Sequence, residues 1–131
     1  CFATKHASVK LSELAIGIGP FVVGPAVERK LGTSGFAQLT IDTTSWKDAN
    51  WAAQYGLYSE VFETAEEMDS TISTLAEKLS SSSPEAMAEL KKVLWTGTED
   101  WNELLTERAA ISGRLVLSDF TRNAIASFKS K

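Results

Sequence analysis

The sequence predicts a mainly α chain with a few short strands, the strands lying early and helices taking over from Thr64 onward. Three observations predict it. Beyond Thr64, apolar residues recur every three or four positions, as in Met68, Ile72, Leu75, Ala76 and Leu79. Each such run opens on a helix-starting residue: Thr64 with Glu67 three positions on, Ser83 with Pro84, Thr98, and Ser118. Alternation of apolar and polar residues, the mark of a strand, is confined to residues 7–11 and 57–62.

Taken in order, residues 7–11 give a short strand with Ala7, Val9 and Leu11 on one face, ended by Ser12. Gly17, Gly19 and Pro20 then forbid a long helix in an otherwise apolar passage. Gly24-Pro25 opens a helix, with glycine as cap and proline in the first turn, and Gly32 closes it. Thr33 and Ser34 start a second helix that ends near Asp42, and a third is expected from Ser45, with Asp48 in the capping-box position and Ala49, Ala52 and Ala53 for close packing. Residues 57–62 form a strand or extended connector. The stripe from Met68 to Leu79 is expected to be core, Met87, Leu90 and Leu94 belong to the next helix, and Thr98 is expected to cap the longest one. Trp46, Trp51, Trp95 and Trp101 are expected as core or interface anchors.

With 131 residues, 44% of them hydrophobic, the chain is long enough for one ordinary core or part of one. The expected division is 1–63 and 64–131. No apolar run approaches the roughly 20 residues of a membrane span, so a soluble, cytoplasmic protein is expected. A single cysteine, Cys1, and a single histidine, His6, leave no disulfide and no zinc set, and no metal is expected. The net charge is −4, unevenly spread: residues 58–107 carry three basic and twelve acidic side chains, whereas 108–131 carry five and one. An acidic chain without a long basic patch is a poor nucleic-acid binder.

Glu13 is the candidate catalytic residue. A carboxylate at a strand end followed by Leu14, Ala15, Ile16 and Ile18 has the apolar flank that suits an acid or base, although caps and surface charges are the commoner fate of such residues. Its surroundings also carry a resemblance. Ala3, the run from Ala7 through Glu13 to Pro20, then Gly24 and Gly32, resemble the segment of the crotonase (enoyl-CoA hydratase/isomerase) superfamily that bears an active-site glutamate. Trp46-Lys47-Asp48-Ala49 with Gly56-Leu57, Ser83-Pro84-Glu85-Ala86 with Lys91, and Ser118-Asp119 followed by Ile125 and Phe128 resemble further motifs of that family in the same order.

The resemblance implies the C-terminal half of an α/β ββα-superhelix fold, ending in a helical oligomerisation region. It implies an acyl-CoA-processing enzyme with Glu13 as general acid/base, the position of the hydratases' second glutamate and of the single one in some isomerases. Ile16, Pro20, Phe21 and Val22 become candidate walls of the substrate pocket. Phe128 and Lys131 match an aromatic and a lysine that enclose the adenine end of coenzyme A. Coenzyme A enters as part of the substrate, no separate cofactor is implied, and a trimer or hexamer is expected. In the family the oxyanion-hole amides and any second carboxylate come from a preceding half, so this piece by itself is expected to be inactive. Departures bear on the substrate: Ser12 replaces a frequent proline, Phe21-Val22-Val23 a glycine-rich turn, and Asn123-Ala124 a Glu-Gly pair. The alternative is a non-catalytic helical assembly domain.

Overall fold

The computed structural model describes residues 1–129, and for Phe128 and Lys129 the backbone only. Strand β1 (Phe2–Thr4) runs parallel to β4 (Glu60–Phe62), with Phe2 opposite Glu60 and Thr4 opposite Phe62. Parallel strands require a crossover connection, and the whole of residues 5–59 supplies it. Within that crossover β2 (Ser8–Val9) pairs antiparallel with β3 (Lys47–Asp48). The alternation at 7–11 therefore yields only a two-residue strand. Lys10 leaves the ladder and holds its ammonium 4.7 Å from the centre of the Trp46 ring.

Helix α1 (Gly24–Ile41) is the expected pair of helices fused end to end, and Gly32, at φ 67° and ψ 165°, is the break between them. Its N-cap is Val23 rather than Gly24, with Pro25 in the first turn as the sequence requires. Asp42 ends α1 and folds the next turn over itself. Its Oδ1 accepts from the Ser45 N–H at 3.1 Å, and its Oδ2 pairs with Lys47 Nζ at 3.1 Å. The Ser45 amide first, then the Lys47 ammonium, hold the Asp42 carboxyl far below the usual aspartate range.

Ser45 thus belongs to a turn, and the expected third helix starts later. Asp48 is itself the N-cap of α2 (Ala49–Gln54), accepting from the Trp51 N–H at 2.7 Å. The close packing expected of the alanines is present: Ala49 and Ala52 are buried. Thr64 caps α3 (Ala65–Ser80) and Ser83 caps α4 (Pro84–Leu94), each hydroxyl accepting from the amide three residues on. Thr98 does not cap α5 (Trp101–Val116). Its hydroxyl donates back to the Trp95 carbonyl at 2.8 Å, the local competition that short polar side chains offer, and Asp100 takes the N-cap place. Ser118 precedes α6 (Asp119–Lys129) and accepts from the Thr121 N–H.

The stripe of α3 is not core. Among the described residues the buried hydrophobic ones are Ala3, Leu31, Leu39, Ala49, Ala52 and Phe62, all in the first 62 positions, whereas Ile72 and Leu75 are 40% exposed and Leu79 48%. Trp46 and Trp95 are also mainly exposed. The cause is the shape of the chain. Its accessible surface is 8960 Å², against ~6,800 Å² for a compact monomer of this mass by size scaling. The later helices are held at a few points: α3 packs on β1 and β4, and α6 packs on the segment that carries Glu13. Arg29 of α1 donates to the carbonyls of Leu94 and Thr96 at 2.5 and 3.0 Å, satisfying the open C-terminal end of α4. Trp95 and Trp101 meet edge to face with centroids 5.9 Å apart across the α4–α5 connection. Among the described residues no helix is long and apolar enough to cross a membrane.

Candidate active site

Glu13 opens a single 3₁₀ turn, Glu13–Ile16, rather than ending a strand. Three backbone bonds close the turn: Ala15 to Ser12 at 3.1 Å, Gly17 to Leu14 at 3.0 Å, and Ile18 to Glu13 at 3.0 Å, each amide donating to the carbonyl. Gly17 ends it at φ 81°, a left-handed conformation that glycine adopts without steric cost. Beneath Gly17 lies α6. Thr121, fully buried, has its hydroxyl 3.2 Å from that of Ser118, and a Cβ on Gly17 would come within 2.9 Å of it. The last helix thus forms the floor of the turn that presents Glu13.

Glu13 lines an open hollow of about 440 Å³. Pro20, Phe21 and Val22 line it with Glu13, so the structure brings four of the sequence-predicted site residues together. Ile16 is half-buried in the glutamate turn and is not among the lining residues, and Leu14 is half exposed. Ile18 and Val23 complete the apolar wall, while Ser112 reaches the hollow from α5. No sequence signal marked Ser112, because it lies roughly a hundred residues from Glu13 on a helix whose orientation only packing sets.

The wall is built by a tight coil. The Phe21 amide donates to the Gly19 carbonyl at 2.8 Å and the Gly24 amide to Pro20 at 2.8 Å, so residues 19–24 fold back over themselves and lead directly into α1. This coil leaves Val22 and Val23 substantially exposed at the rim, 47% and 40%. Glu13 Oε2 is buried and has no hydrogen-bond partner among the described residues. Leaving such an atom unsatisfied costs about 1–3 kcal/mol, so this oxygen does not support the fold. The arrangement can hold an apolar chain against residues 18–23 with a carboxyl group alongside, able to exchange a proton. Among the described residues, no cluster of histidine, cysteine and carboxylates suited to a metal ion occurs. The side chain of Phe128, and Lys131 altogether, lie outside the described residues.

This helix-rich chain, with a carboxylate-bearing turn beside an apolar hollow, shares the crotonase fold with solved structures. An enoyl-CoA hydratase from Mycobacterium avium superposes with a TM-score of 0.88 at 24% identity over 98% of this chain and 50% of its own. An enoyl-CoA hydratase/isomerase from Pseudoalteromonas atlantica T6c gives 0.86 at 19% identity, over 98% and 52%. OdaA of Pseudomonas aeruginosa gives 0.84 at 20%, over 99% and 53%. The profile of the enoyl-CoA hydratase/isomerase family matches residues 1–128, and the chain belongs to that family. It spans about half the length of the solved structures it matches. Among curated protein sequences none matches significantly.

Proposed function

We propose that this chain is the later half of an acyl-CoA hydratase or isomerase, in which Glu13 moves a proton to or from the carbon next to the thioester carbonyl. The carrying observation is that Glu13, whose Oε2 is buried and unpartnered, lines an apolar hollow. In hydration of a 2-enoyl thioester, water adds to C3 and a proton is delivered to C2. In isomerisation of a 3-enoyl thioester, a proton leaves C2 and returns at C4. A single carboxyl beside the acyl chain serves either reaction, and general acid/base catalysis of this kind contributes typically about 10² to 10⁴ in rate. Gly17 over Thr121 fixes the turn, so the carboxyl is aimed before substrate arrives.

Charge developing on the thioester oxygen requires preorganised donors. In this reading they come from a preceding half of the protein, together with any second carboxylate, so the present chain by itself does not turn over. Residues 1–63 hold the catalytic turn and 64–131 serve assembly as a trimer or pair of trimers in the cytosol. Phe128 and Lys131 are assigned to the adenine end of coenzyme A. A second reading, a purely assembling helical domain, draws on the exposed apolar faces of α3 and α4. Turnover of a 2-enoyl-CoA and a 3-enoyl-CoA by the full-length protein separates the two. Activity on either supports the enzyme, and the preferred one assigns the reaction. No turnover of either, with self-association intact, leaves assembly alone.

A further inference from the structure

We propose that the Phe21 ring sets the length of acyl chain the Glu13 hollow accepts, by walling it off from a second cavity. This rests on the acyl-CoA reading above. The second cavity, about 190 Å³, shares two residues with the Glu13 hollow, Pro20 and Phe21, which form the partition between them. Besides the partition, Pro25 and Phe36 give it apolar surface, and Glu28, Thr40 and Arg108 of α5 give it polar groups. At less than the ~300 Å³ of a whole ligand site, it is sized for the end of a chain.

The partition is built into the backbone. A Cβ on Gly19 would come within 2.5 Å of the Phe21 ring, so the ring lies against a residue that has no side chain to displace it. On the other side of the coil, Gly24 leaves the same kind of room for Phe36, whose ring tip would stand 3.0 Å from a Cβ there. Glycines thus seat both rings, one closing the Glu13 hollow and the other lining the cavity behind it. A straight acyl chain lying along residues 18–23 meets the face of Phe21 and stops. Without that ring, its last carbons enter a space already formed, lined by Pro25 and Phe36 together with Thr40 and Arg108.

The test is the chain-length profile of kcat/KM for straight 2-enoyl-CoAs in the full-length protein, with thermal melting alongside. Phe21→Ala is expected to move the optimum to longer chains, with kcat/KM relative to the shortest chain rising roughly fourfold for each further methylene that the second cavity takes up. Phe21→Leu, the variant to use should the alanine variant not fold, is expected to move the optimum in the same direction by less. Adding Thr40→Phe, a larger side chain on a residue that lines the cavity, is expected to restore the original profile. A folded Phe21 variant with an unchanged profile overturns the proposal, as does a lengthened profile that Thr40→Phe does not reverse. Absence of turnover on every chain length in the unaltered protein fails the acyl-CoA reading itself and takes this inference with it.

Discussion

Thr121 and Gly17 are in van der Waals register: the threonine, with no surface exposed, fills the space beneath the glycine where any Cβ would stand 2.9 Å from its hydroxyl and 2.5 Å from the neighbouring Phe120 ring. One contact therefore ties α6, the end of the chain, to the turn that presents Glu13.

Gly17→Ala combines a left-handed φ of 81° with this collision. The backbone alone costs roughly 1–2 kcal/mol for an L-residue, and crowding in a packed site adds about 1–3 kcal/mol. A melting temperature lowered by several degrees and a larger fractional loss of turnover are expected, because the displaced turn carries the carboxyl group. An alanine variant with unchanged melting would mean that α6 does not press on this turn.

Glu13→Gln preserves shape and removes the ionisable proton. Turnover of 2-enoyl- or 3-enoyl-CoA by the full-length protein is expected to fall by about 10² to 10⁴, with melting unchanged or raised, since a buried oxygen without a partner does not support the fold. Destabilisation of about 1 kcal/mol with turnover intact is the signature of a cap, and would remove Glu13 from the catalytic role.

The exposed faces of α3 and α4, with Ile72, Leu75, Leu79, Leu90, Val93, Leu94 and Trp95 all open to solvent, are expected to make the chain self-associate. Sedimentation of the chain at micromolar concentration reads this directly. A single monomeric species would count heavily against assembly as the role of residues 64–131.

Asp42 gives a pH dependence with a definite sign. The Ser45 amide and the Lys47 ammonium favour its ionised form, so the folded group titrates far below the ~3.9 of a free aspartate. Its contribution to stability is complete above the unfolded value and fades as pH falls through the folded one. In carboxyl NMR titrations Asp42 is expected to remain charged after surface carboxylates have been protonated, and Asp42→Asn to lose this acid-side slope. An ordinary midpoint for Asp42 would show that the turn at 42–47 is not closed in solution.

Much of the chain could be read without its fold. Helix starts at Thr64, Ser83 and Ser118 and the break at Gly32 depend on interactions within three or four residues, which the sequence contains in full. The same locality misled at Ser45 and Thr98, where another polar residue nearby took the capping place and the free hydroxyl or amide turned elsewhere.

By itself the sequence determined a mainly helical chain with early strands, the family resemblance, and a glutamate with apolar company. Only the tertiary structure decided that Ser112, Ile18 and Val23 join Glu13, Pro20, Phe21 and Val22 around one hollow, that Thr121 underlies the glutamate turn, and that the α3 stripe stays exposed. The physical reason is one of range. Apolar spacing states which side of a helix prefers burial, but what lies against that side depends on segments many residues away, and here the chain places little against α3 and α4.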